Sequence, residues 1–132
     1  MFKLLLISPE IPDANYEIDK IFFLPTGVLS LATLAKSKGI EVSLIDLNII
    51  KFKKNGSCVD SIKERLINFK PDLVGIGCIF SGQFNSVMYY SEYVKDINNK
   101  TPVVVGGMHP TLFYKKILEN CNSIDYIAVG EG

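Results

Sequence analysis

The chain has 132 residues, the length of one domain. Hydrophobic residues make up 48% and charged residues 21%, which supports a packed core and excludes disorder. Lys plus Arg and Asp plus Glu number 14 each, so there is neither a basic footprint for nucleic acid nor a polybasic membrane patch.

The apolar run from Lys3 to Ser8 reads as a buried first strand. It is too short for a signal-peptide core and breaks at Ser8-Pro9-Glu10. No other apolar run approaches a membrane span, so a cytoplasmic location is expected. A polar loop, Pro9 to Leu24, follows; it is long for a strand-to-helix connection, and long ordered loops often carry function. Pro25-Thr26-Gly27 opens a helix with Val28, Leu31, Ala32 and Ala35 on one face and Gly39 just past its end. Glu41 to Asp46 alternates as a second strand, and Asn48 to Gly56 reads as a lysine-rich, solvated connection. Ser57 or Asp60 caps a helix carrying the stripe Val59, Ile62, Leu66 and Phe69, which Pro71-Asp72 ends. Leu73 to Cys78 is a third strand, and Phe84 to Ile97 a helix packed through Phe84, Val87, Met88, Ser91 and Val94. Its tyrosines, Tyr89, Tyr90 and Tyr93, read as packing and surface residues. Val103 to Val105 is a fourth strand ended by Gly106-Gly107; a short helix from Pro110 and a fifth strand, Asp125 to Val129, complete the pattern.

Continuous apolar strands separated by helices indicate a parallel sheet covered on both faces. The expected fold is α/β, a doubly wound five-stranded sheet of flavodoxin-like, Rossmann-like type in the order 2-1-3-4-5. A helix usually follows the fifth strand in this topology and is missing here, so residues 1–132 read as one domain of a longer chain. That lack also leaves strands four and five without a cover on one face, which gives the fragment a tendency to self-associate.

Ligands of such sheets bind beyond the carboxyl ends of the strands. Five segments meet there: Ser8-Pro9, Asp46-Leu47, Cys78 to Gly82, Gly106 to Thr111 and Gly130 to Gly132. Gly75 and Gly77 share one face of the third strand and let a helix or a ligand approach, with helix packing the plainer reading. Gly106-Gly107 leaves a bare strand end for a planar group or a nucleotide tail. On that ground Gly107→Ala is expected to obstruct the ligand more than it unfolds the domain. His109, the sole histidine, stands where a cap or a ligand contact is needed. Cys58, Cys78 and Cys121 are odd in number and far apart, so they read as inert thiols and give no disulfide, zinc or iron–sulfur motif. The loop after the first strand lacks the glycines of a dinucleotide fingerprint, and no P-loop is present. Receiver domains share the topology, but their phosphoacceptor aspartate would fall where this chain has Cys78-Ile79-Phe80.

Four ordered blocks carry a family resemblance. Pro25 to Ala32 resembles P-x-G-L-x-x-L-A, Pro71 to Gly77 resembles P-D-(V/L)-V-G-(I/L)-S, Val104 to Thr111 matches V-V-G-G-x-H-P-T, and Asp125 to Gly132 matches D-Y-(V/I)-(V/A)-x-G-E-G. Together, over almost the whole chain, they resemble the N-terminal cobalamin-binding domain of cobalamin-dependent radical S-adenosylmethionine (SAM) enzymes. That group includes methyltransferases and the anaerobic magnesium-protoporphyrin monomethyl ester cyclase type. The resemblance implies cobalamin contacts at Ser8, Pro9, Pro25, Thr26, Gly27, Cys78, Phe80, Ser81, Gly106, Gly107, His109, Thr111, Gly130 and Glu131, with no catalytic residue and no protein metal ligand in this chain. Two departures stand out. The D-x-H-x-x-G motif that places a histidine under cobalt in mutases and methionine synthases is absent, so cobalamin is expected to bind without a protein histidine. Gly77 stands where that pattern favours serine, with Ser81 nearby. The resemblance further implies a C-terminal barrel, outside these residues, whose C-x-x-x-C-x-x-C motif holds a 4Fe-4S cluster that cleaves SAM; the chain alone is then not an enzyme, because the protein's share is positioning and electrostatics. The alternatives are a domain that keeps the fold without the cofactor and serves as a docking module, and a flavodoxin-like flavin binder.

Overall fold

The structure, a computed structural model, describes residues 1–11, 24–53 and 57–131, apart from the side chains of residues 52 and 53. Most of the Pro9–Leu24 loop, and Gly132, therefore lie outside the described residues. Five parallel strands form one sheet in the order β2-β1-β3-β4-β5: β1 (Lys3–Ser8), β2 (Glu41–Asp46), β3 (Leu73–Gly77), β4 (Val103–Gly106) and β5 (Tyr126–Ala128). The helices are α1 (Thr26–Ser37), α2 (Leu47–Lys53), α3 (Cys58–Phe69), α4 (Phe84–Ile97) and α5 (Met108–Asn120), with a 3₁₀ turn at Ser81–Gln83.

Alternation along the strands divides the sheet's faces. Leu5, Ile7, Ile45, Val74, Ile76, Val103 and Val105 point to one side and form the main core with Ile62 and Leu66 of α3, Val87, Tyr90 and Val94 of α4, and Ile117 of α5. The other side carries Leu6, Ser8, Gly75, Gly77, Val104, Gly106 and Ala128, and there α1 packs against β1 and β2. Right-handed crossovers account for the split: the path from β1 to β2 runs one way along the sheet, and the path from β2 through β3 and β4 to β5 runs the other.

Two expectations are corrected. The supposed solvated connection after β2 begins with helix α2, because Leu47 is fully buried and Ile50 packs on the core one turn later. The Asp46 carboxylate accepts from Asn48 N at 3.0 Å, the bond an N-cap residue makes. The helix expected to be short and to start at Pro110 starts at Met108, spans 13 residues and leaves helical geometry only at Phe113. Of the two candidate caps for α3, Ser57 accepts from Asp60 N, at 3.5 Å. Gly39 takes φ +80° just past α1.

Candidate functional site

A cleft of about 490 Å³ lies on the α1 side of the sheet, over the carboxyl ends of β1, β3, β4 and β5. This volume is within the range of small-molecule sites. Its floor is bare backbone and small side chains: Gly75 and Gly77 of β3, Gly106 of β4 and Ala128 of β5. Val28, Leu31 and Leu34 of α1 form one wall, Ser8, Pro9 and Pro25 one end, and Gly107, Gly130 and Glu131 the opposite rim. The lining is overwhelmingly apolar.

The glycines do different work. A Cβ on Gly77 would come within 3.2 Å of Val28 Cγ2, so this glycine lets α1 approach the sheet. A Cβ on Gly75 would meet Leu6 Cδ2 at 2.8 Å, so this one keeps the floor low. Gly106 has room, with its nearest neighbour, Ala128 Cβ, at 3.4 Å. Gly107 has φ +122°, and a Cβ there would lie 2.3 Å from the Cys78 carbonyl oxygen. This corrects the expectation for Gly107→Ala: the residue is demanded by the backbone turn itself, and a side chain would unfold the turn before it obstructed a ligand.

Buried polar side chains tie the strand-end loops together. Gln83 Oε1 accepts from Ile79 N (3.0 Å) and Phe80 N (3.2 Å), while its Nε2 donates to Pro9 O (3.3 Å). Asn48 Nδ2 donates to the same Pro9 carbonyl at 3.2 Å, and Asn48 Oδ1 accepts from Ile11 N at 2.8 Å. The Tyr90 hydroxyl lies 2.7 Å from both oxygens of the Glu10 carboxylate, and Ser86 Oγ donates to it at 3.3 Å. The exit from β1 is thus held from α2, from the 3₁₀ turn and from α4. Burial, then the Glu10 carboxylate, push the Tyr90 phenol far above its ordinary pKa, so it stays a donor. Burial pushes the Cys78 thiol up to about 11, and it donates to Phe80 O at 3.4 Å as a neutral group.

Of the residues expected at the site, Ser8, Pro9, Pro25, Gly27, Cys78, Gly106, Gly107, Gly130 and Glu131 line the cleft. Thr26, Phe80, Ser81, His109 and Thr111 stand off it. The His109 ring lies between Phe84 (4.7 Å) and Phe113 (4.8 Å), with Nδ1 2.8 Å from Ser81 Oγ. Burial lowers its pKa, which favours the neutral ring. Thr111 Oγ1 donates to Gly107 O at 2.7 Å and accepts from Gly130 N at 3.0 Å, so it staples together two turns of the rim. Sequence reasoning does not reach the α1 wall, Gln83, Val104 or Ala128, and at Gly75 and Gly77 it leaves helix packing and ligand approach open; the structure shows both, with Val28 of α1 against Gly77 and both glycines in the cleft. A signal was present: β3 alternates Val74 and Ile76 with Gly75 and Gly77, large toward the core and empty toward the cleft.

No helix among the described residues is long and apolar enough to cross a membrane. A family model described as "B12 binding domain" matches residues 22–132. The chain is similar to cytidylyl-2-hydroxyethylphosphonate methyltransferase of Streptomyces wedmorensis, 26% identical over 142 residues that cover 98% of this chain and 26% of that protein. It is also similar to anaerobic magnesium-protoporphyrin IX monomethyl ester cyclase of Rubrivivax gelatinosus, 29% identical over 108 residues covering 82% of this chain and 19% of the cyclase. The chain thus spans about a quarter or less of these relatives. Its fold matches the crystal structure of a cobalamin-binding protein from Desulfitobacterium hafniense, with TM-score 0.69 and 16% identity, over 98% of this chain and 53% of that one.

Proposed function

The chain belongs to the B12-binding domain family, and on that premise we propose that it holds cobalamin without a protein histidine on cobalt, as one cytoplasmic domain of a longer radical SAM protein. The observation that carries this reading is the apolar cleft floored by Gly75, Gly77, Gly106 and Ala128 at the carboxyl ends of the strands. A cleft of about 490 Å³ is too small for a whole corrinoid and suits one arm of it, the flat base of the nucleotide tail. Gly75, Gly106 and Ala128 would lie under that base, Val28 and Leu31 would cover it, and Gly107, Gly130 and Glu131 would face the ligand from the rim. The chemistry the group supplies when bound is alkyl transfer at cobalt. This chain's part is to bind, to orient and to keep water from the buried arm. The family match favours cobalamin over flavin. The barrel, its iron–sulfur cluster and SAM would belong to the rest of the longer protein, a reading supported by the fraction of the methyltransferase and the cyclase that this chain spans.

The sole histidine supports the ligation reading. His109 is engaged with Ser81, Phe84 and Phe113, and no other imidazole exists in the chain. The test uses the chain grown with ¹⁵N-histidine. It should retain hydroxocobalamin through desalting, and the paramagnetic resonance spectrum of bound cob(II)alamin should match that of unlabelled protein. A spectrum altered by the label would overturn the histidine-free site. Loss of the cofactor on desalting would favour the docking module instead.

A further inference from the structure

We propose that Ser8 reads the base of the bound corrinoid: its hydroxyl gives the buried end of the ligand a side-chain hydrogen bond, selecting a benzimidazole-type base over a purine. The inference rests on the cobalamin reading above and adds to it the residue and the atom that discriminate. Ser8 closes β1, and alternation from Leu6 turns its side chain to the cleft. It is 8% exposed. Among the described residues its Oγ has no hydrogen-bond partner. Every fully shut side-chain nitrogen or oxygen among them is paired, so this hydroxyl keeps its small exposure on the cavity it lines. A buried polar group without a partner in the protein calls for one from a ligand or from water.

The other polar side chains at that depth are spent. Both ends of the Gln83 amide are bonded to backbone, and the Cys78 thiol donates to Phe80 O. Ser30 and Glu131 are exposed and sit at the mouth. β1 and β3 pair through Ile7 and Ile76, so the next step in register sets Ser8 beside Gly77, which has no side chain to screen the hydroxyl. The slot therefore offers one free side-chain hydrogen-bonding group at its depth, in apolar surroundings. A benzimidazole brings one free ring nitrogen and an otherwise apolar ring. An adenine brings further ring nitrogens and an exocyclic amine, and each polar atom left unpaired weakens binding by about ten-fold.

The hydroxyl bonds nothing in the protein, so Ser8→Ala removes no contact that folding uses. The 132-residue chain and its Ser8→Ala variant are titrated with cobalamin, with the corrinoid bearing adenine in place of dimethylbenzimidazole, and with cobinamide, which has no base. We expect the parent to favour cobalamin over the adenine corrinoid by about ten-fold or more. Ser8→Ala should lose about ten-fold on cobalamin and nothing on cobinamide, with an unchanged unfolding midpoint. Unchanged cobalamin affinity in the variant, an equal loss on cobinamide, or a parent indifferent to the base would each overturn the role of Ser8 while leaving the cobalamin reading intact. A parent that holds none of the three overturns the cobalamin reading, and this inference with it.

Discussion

Two adjacent glycines at the end of β4 separate folding from binding. Gly107 needs its φ of +122°, and the Cys78 carbonyl oxygen sits where its Cβ would go. Gly107→Ala should therefore lower stability by at least about 2 kcal/mol, the scale of a strained backbone with a clash added. Gly106 has ordinary φ and only the Ala128 methyl nearby, so Gly106→Ala should fold like the parent and bind cobalamin more weakly, because its methyl enters the floor of the cleft. Urea unfolding and cobalamin titration of both variants check the pair; equal stability losses would refute the division. The sequence marked Gly106-Gly107 as a place where backbone is left bare. It did not say which glycine serves the turn, because neither φ nor the direction of a missing Cβ is written in residue identity. Ser8 and Pro9 were legible from their place after a strand. His109 and Thr111 drew attention through a motif, yet they brace the rim and stand off the cleft.

Among the elements, strands and long helices were legible wherever burial imposes a period, and least legible where an element is short. Among the described side chains of helix α2, Leu47 and Ile50 face the core, too little apolar pattern to stand out beside its lysines, and the Asp46 cap reads equally well as a strand end. Strand β5 is short too, and a side chain holds it in register. Asp125 Oδ2 accepts from Val103 N at 2.7 Å and from Lys95 Nζ at 2.6 Å. Burial alone would raise this carboxyl. The hydrogen bonds from Lys95 and Val103 and the Lys95 charge outweigh it and hold the pKa below the ordinary carboxylate value. For a depressed carboxyl the stabilisation is complete above the unfolded pKa, about 3.9, and is lost as pH falls through the lower folded value. Asp125→Asn should therefore unfold at lower denaturant than the parent at pH 7, and the gap should shrink at pH 3. A gap that stays constant between the two pH values would remove the carboxylate from this role.

At the scale of the molecule, the order 2-1-3-4-5 distributes the helices unequally. That order was legible because right-handed crossovers leave few alternatives to a chain of alternating strands and helices. The same rule places α3, α4 and α5 on one face and leaves α1 alone on the other, where it packs on β1 and β2. Nothing among the described residues covers β4 and β5 on that side, and Tyr126 there is 60% exposed. Leu34 on α1, 56% exposed, borders the same surface across the cleft. Apolar surface of this kind, once it reaches a few hundred Å², acts as a contact surface on soluble proteins. The ligand-free chain should therefore associate with itself as concentration rises. Cobalamin, by filling the cleft between α1 and the open strands, should shift it toward monomer. Leu34→Lys should do the same without ligand, since the side chain is largely in solvent and its loss removes little from the core. Sedimentation equilibrium with and without cobalamin measures all three. A ligand-free chain that stays strictly monomeric at high concentration would show that this face is too small or too polar at its edges to drive contact. Association that neither cobalamin nor Leu34→Lys relieves would place the contact on another face.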